Sequence, residues 1–189
     1  GAGANTSGLV SYPIQTVATA GSASVIYQGT PVIPLANGMI DIVGGATGGT
    51  VPLLGAFMGC QYTDLNGKPT FNNKYPGTAA VKASTPVTGL ISANPDQLFL
   101  INCNAAAADL IVHANADFAT ATSGNATTFI STAELDVSTV NTTNTLNMRI
   151  VGFEDTPDND DATVAGRLAI VLLNNHFYRY NANGTGAGI

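Results

Sequence analysis

Turn-forming residues break this chain roughly every ten positions, and no long stretch between them keeps the apolar period of an amphipathic helix. Asn37-Gly38, Asp64-Leu65-Asn66-Gly67, Asn94-Pro95-Asp96 and Thr156-Pro157-Asp158-Asn159 mark such turns. Between them lie short runs suited to strands: Leu98–Cys103 (LFLINC), Leu146–Phe153 (LNMRIVGF) and Leu168–Leu173 (LAIVLL). Leu146, Met148 and Ile150 alternate onto one face, whereas Leu168–Leu173 is continuous, as in a strand buried on both sides. The pattern predicts an all-β single-domain barrel or sandwich of short antiparallel strands with long loops and little helix.

Within it, Leu53–Pro76 reads as a central hairpin. A glycine-broken apolar run, Leu53 to Cys60, meets an Asn66-Gly67 turn whose residues tolerate the positive φ of a type I′ geometry. Gly55 and Gly59 leave room for a bulge or a close backbone approach. Asn37-Gly38 predicts a second hairpin, between Val32–Leu35 and Met39–Val43. Leu9–Ala18, containing Pro13, suits an arm or an edge strand, and Ser22–Gln28 alternates as a strand would. Gly44–Gly49 and Phe118–Thr128 read as loops, Asn104–Ala108 as a possible helical turn, and Ile130–Val140 as a strand. The expected organisation is a flexible arm over 1–13, one β domain over 14–180 and a flexible tail over 181–189.

Charged residues make up 10% of the 189, against roughly 25% in an average soluble domain. Neutral polar side chains must therefore cover the surface, or other protein covers part of it. The net charge is −6, and the six cationic residues are scattered. Nucleic-acid binding draws on neutralised phosphates, so that balance argues against it, and equally against a polybasic membrane patch. No apolar run approaches the roughly 18 residues of a membrane-spanning helix. The opening GAGANTSGLV lacks a charged region followed by an apolar one, so these residues do not read as a secretory leader. Cys60 and Cys103 lie in apolar runs, where free thiols behave as small hydrophobes; a reducing compartment of synthesis fits them.

Motifs for chemistry are sparse. His113 and His176 stand alone, outside any metalloprotease, thiol-redox or nucleotide-binding pattern, and read as hydrogen-bonded structural residues. A dispersed carboxylate pair, as in a hydrolase, would leave no sequence mark. Five acidic residues crowd Glu154–Asp161, and Asp155, Asp158 and Asp160 are candidate Ca²⁺ ligands. The spacing is not that of a calcium loop, however, and Pro157 stiffens the segment, so a solvated acidic turn is the competing reading. The chain predicts no catalytic residues and no cofactor.

Several ordered blocks carry a resemblance. Tyr62-Thr63-Asp64-x-Asn66-Gly67 is followed by Phe71 and by Tyr75-Pro76-Gly77-Thr78. Farther on come Asn94-Pro95-Asp96, Leu146-x-x-Arg149-Ile150-x-Gly152, Thr156-Pro157-Asp158-Asn159 and Val171-Leu172-Leu173-Asn174-Asn175-His176. Together, over most of residues 53–189, they resemble a tailed-bacteriophage family of head decoration, or cement, proteins encoded beside the major capsid protein. Family members tend to have Arg-Pro after an opening Gly-Phe/Leu, where this chain has Val10-Ser11 after Gly8-Leu9. They often have Trp where it has Tyr75. The resemblance implies a non-enzymatic subunit on the outside of the virion, made in the host cytoplasm, that clamps neighbouring capsomers. Its partners would be the major capsid protein and itself, as a homotrimer at three-fold positions, with contact through Gly8, Leu9, Tyr12 and Pro13 of the arm. The alternative is a carbohydrate- or host-surface-binding β module, although such sites stack sugars on aromatics and this chain has no Trp.

Overall fold

The computed structural model describes residues 8–15, 25–43 and 51–179. The arm before Gly8, the start of the Ser22–Gln28 strand, the Gly44–Gly49 loop and the C-terminal tail lie outside them.

The expectation of an all-β chain holds. Eleven strands are described: β1 (Val10–Pro13), β2 (Pro31–Pro34), β3 (Ile40–Ile42), β4 (Gly55–Thr63), β5 (Pro69–Asn72), β6 (Thr88–Ser92), β7 (Leu98–Cys103), β8 (Asn115–Thr120), β9 (Glu134–Asn141), β10 (Met148–Phe153) and β11 (Leu168–Leu173). Short 3₁₀ turns at Thr78–Ala80, Asp109–Ile111 and Pro157–Asn159 complete the regular structure among the described residues.

The first sheet runs β1-β6-β4-β2-β3, with β5 also paired to β4. Its centre is β4, the longest strand. One edge of β4 takes β2 at Gly55–Ala56 and β5 at Cys60–Thr63, and the other takes β6 along most of its length. Gly55 is obligatory here: its φ is 153°, and a Cβ would sit 2.1 Å from the Ser92 carbonyl oxygen. Between Phe57 and Gly59 the pairing with β6 slips by one residue, the bulge that the glycines allow. The sheet curls until its outer strands touch, with Gln15 N donating to Ile40 O at 3.0 Å. Ile14, Val32, Ile40, Phe57, Tyr75 and Ile91 fill the inside.

Both Asn-Gly hairpins form, but not with type I′ turns. Gly67 and Gly38 have φ of 84° and 77°, whereas neither Asn66 nor Asn37 has positive φ. Gly67 N donates to Asp64 O, and Asp64 N to Lys68 O; Leu35 makes the same pair with Gly38 and Met39. This is the three-residue loop, a type I turn closed by a left-handed glycine. The Asp64 carboxylate favours it by accepting from Asn66 N and Lys68 N.

The remaining strands close a barrel in the order β10-β11-β7-β9-β8, sealed where β8 pairs β10 at Met148↔Ala116. Its pairs are antiparallel except β7 with β9, which run parallel over Asn102↔Glu134 and Cys103↔Leu135. A parallel pair needs a long crossover, and here residues 104–133 supply it and contain β8. Phe118–Thr120 thus belong to a strand, not to a loop. The helical turn read at Asn104–Ala108 falls instead at Asp109–Ile111. Ile101, Phe118, Leu135, Met148, Ile150 and Val171 make a second core. Leu53 joins the two halves: its N–H donates to Asn175 O and its carbonyl accepts from Phe177 N, at 2.8 and 2.7 Å.

Candidate binding surface

Because side chains alternate along a strand, Ala169, Val171 and Leu173 of β11 enter the barrel, and Leu168, Ile170 and Leu172 point outward. The outward set is half-buried, so β11 is covered on one face and not on both. The register puts Leu172 beside Leu98 and Ile170 beside Leu100 on β7. Leu98 and Leu100 are 48% and 56% exposed, and Val151 on β10 is also exposed. Arg149, opposite Leu172, points outward as well, with Nε donating to Asn115 Oδ1 at 3.1 Å. The outer wall of the barrel is therefore a run of aliphatics with one guanidinium beside it. The largest apolar patch on a monomer's surface is often a contact site. Leu110, in the 3₁₀ turn after β7, is 96% exposed.

Next to this wall, an apolar cleft of about 230 Å³ opens between barrel and first sheet. Phe118, Met148 and Leu173 of the barrel core line it from one side, Ala56 and Met58 of β4 from the other. Leu100 and Ile130, both exposed residues, also belong to its lining.

The chain matches no family model, no curated relative and no solved structure.

The surface must then be judged on its own residues. Of the arm residues, Leu9 and Pro13 are exposed and Gly8 is half-buried. Tyr12 packs against the first core, and its hydroxyl shares a hydrogen bond with that of Tyr178. The Val10–Pro13 part is an edge strand on β6, one of the two forms its sequence allowed.

The acidic turn is organised by other residues than the carboxylates proposed for calcium. Asn159, buried, donates to the carbonyls of Glu154 and Leu168 and accepts from Leu168 N. Arg167, also buried, donates to Asn159 O and Ala107 O, pairs with Asp109 at 2.7 Å and lies 3.8 Å from the Phe153 ring centroid. Asp155, Asp158 and Asp160 point into solvent. Asp155 and Asp160 share a shallow pocket with Arg167 that Asp158 does not line. Among the described residues no group of three or more His, Cys, Asp and Glu side chains could hold a metal ion, so the calcium candidates are not brought together.

The remaining reactive groups are tied to the fold. Cys60 and Cys103 are free and buried, and burial pushes their thiols up to about 12 and about 11. His176 is buried, accepts from Tyr178 N at Nδ1, and is pushed down to about 4, first by burial and then by the Arg179 charge. His113 is exposed at a positive φ of 72°, with its N–H donating to Ile150 O. The apolar wall escapes a sequence reading because LAIVLL looks the same in a strand covered on one face or on two.

Proposed function

We propose that this chain is a capsid decoration subunit that acts by contact alone, on the outside of a tailed-phage head, against the major capsid protein. The observation that carries this reading is the aliphatic wall formed by Leu98, Leu100, Ile170, Leu172 and Val151, on a chain whose His, Cys, Asp and Glu side chains form no metal-holding group among the described residues. Removing such half-exposed aliphatics from water gains about 1 kcal/mol each, roughly 5 kcal/mol together. Association itself costs about 4–15 kcal/mol. One copy is therefore a weak binder, and linking copies raises avidity without new contacts. That arithmetic supports a trimer over a lone subunit.

The test is co-sedimentation with expanded capsids stripped of decoration protein. Wild-type protein should saturate them, and L98S/L100S should bind at least tenfold more weakly. Wild-type protein that stays in the supernatant would end the proposal. Deleting residues 1–10 tests the arm separately: unchanged binding removes its role.

A glycan-binding reading has one favourable feature, the half-exposed Tyr178 beside Tyr12 and Phe177 over a second cleft of about 230 Å³. An array on which the protein binds no glycan would remove it.

A further inference from the structure

The cleft between barrel and first sheet is more than a gap in packing. Among the described residues its lining contains no charged side chain, and Gln28 and Ser131 supply the only polar ones. An ionic occupant would lose its hydration there without compensation. Engineered apolar cavities of about 150 Å³ stay dry and accept a benzene ring; at about 230 Å³ this one has room for a ring with its methylene arm. Among the residues of this sequence outside the described ones, the large apolar side chains are Val17, Tyr180 and Ile189. The lip matters as much as the volume. Leu100 belongs both to the cleft and to the exposed wall, so an occupant would enter from within an apolar protein-contact surface. A central pocket ringed by neutral apolar contacts is how aromatic anchors are held at interfaces.

We propose that this cleft is an anchor pocket for one uncharged aromatic side chain presented by a partner protein. The partner's identity as a capsid protein rests on the contact role proposed above; the pocket's preference for a ring does not.

The chain carries its own reporters. Met58 and Met148 line the cleft, whereas Met39, the third methionine, lines the cleft beside Tyr178. With ¹³C-methyl methionine, N-acetyl-phenylalaninamide should shift the Met58 and Met148 signals saturably and leave Met39 in place. N-acetyl-lysinamide should bind at least tenfold more weakly. Ala133→Phe, which fills the cleft from its side, should weaken the phenylalanine probe at least tenfold. If that variant does not fold, Leu100→Ser with Ile130→Ser, both at exposed positions, should weaken it several-fold.

Absence of saturable shifts, equal binding of the lysine probe, or binding undiminished in these variants overturns the proposal. So does binding of toluene without the phenylalanine probe, which would make the cleft a small-molecule site. A Tyr180→Ala protein whose Met58 and Met148 signals move without ligand would also overturn it, since the chain would then fill its own cleft. Ala133→Phe protein that binds capsids as tightly as wild type overturns the anchor alone. Wild-type protein that binds no capsid overturns the decoration role, and the methyl shifts still decide the pocket.

Discussion

In the first sheet the tightest fits are backbone against backbone: Gly55 lies where any side chain would strike Ser92, and Gly59 lets β4 bulge against β6. In the barrel the corresponding work is done by long polar side chains. Arg167 and Asn159 stitch the acidic turn to β11, and Asp117 Oδ1, buried, accepts from Asn147 Nδ2 and from Phe118 N. The contrast teaches where each half tolerates change. The sheet should fail when a single carbon is added, and the barrel when a donor is removed. The outer wall of the barrel, which contributes to neither, should accept substitution freely.

Gly55→Ala is the most severe break of that contrast. The new carbon meets a main-chain oxygen that has no free direction to move, at a φ disfavoured for any other residue. The expected loss is ~3 kcal/mol or more, a fall in melting temperature of roughly 10 °C; a loss below ~1 kcal/mol would mean that β4 and β6 can part without cost.

Arg167→Ala comes next, at about 2–3 kcal/mol, because it strips donors from the Asn159 and Ala107 carbonyls and uncovers Phe153. Asp109→Ala should cost under ~1 kcal/mol, since that carboxylate is 78% exposed and its ion pair is screened. Urea melts of the two variants separate the hydrogen bonds from the charge pair, and equal losses would refute the assignment.

His176, held down to about 4 from its ordinary 6.5, belongs to the seam between the halves. The unfolded chain takes up the proton near pH 6.5 and the folded one only near 4. Stability from this group is therefore complete above about pH 7 and drains as the pH falls from 6.5 towards 4, by up to ~3 kcal/mol. The nearby Asp96 charge pulls the other way, and burial together with Arg179 outweighs it. His176→Gln should flatten that part of the stability curve. Curves that run parallel for variant and wild type would show that another group governs the acid side.

Smallest of all is the expected effect of L98S/L100S on folding, within ~0.5 kcal/mol per site. A larger loss would mean that the wall stabilises the barrel and is not a free surface.

How much of this could be read from the chain follows from the same contrast. Hairpins and apolar strands announce themselves locally, and Asn37-Gly38, Asn66-Gly67, LFLINC, LNMRIVGF and LAIVLL all lie where the sequence put them. The turn type was misread because Asp64 and Leu35 set the hydrogen bonding, leaving only the glycines with positive φ. β8 was missed in part because Asn115 and Asp117 are buried polar residues on a strand, which erases the apolar alternation that would have marked it. The parallel β7–β9 pair and the closure of the barrel depend on partners more than thirty residues apart. The cleft is less legible still: Met58 and Met148 come from different halves, and nothing near either names the other.

The two cysteines fall one to each core, Cys60 inside the first sheet and Cys103 inside the barrel. With their thiols pushed so far up by burial, neither ionises while its own half is closed. Each is thus a clock for the opening of the body that encloses it. In native buffer, a thiol-specific reagent applied to Cys60→Ala and Cys103→Ala proteins times the two openings separately. Equal rates describe one cooperative unit. A tenfold difference describes two subunits of folding separated by about 1.4 kcal/mol, and the slower thiol identifies the half that holds the other in place.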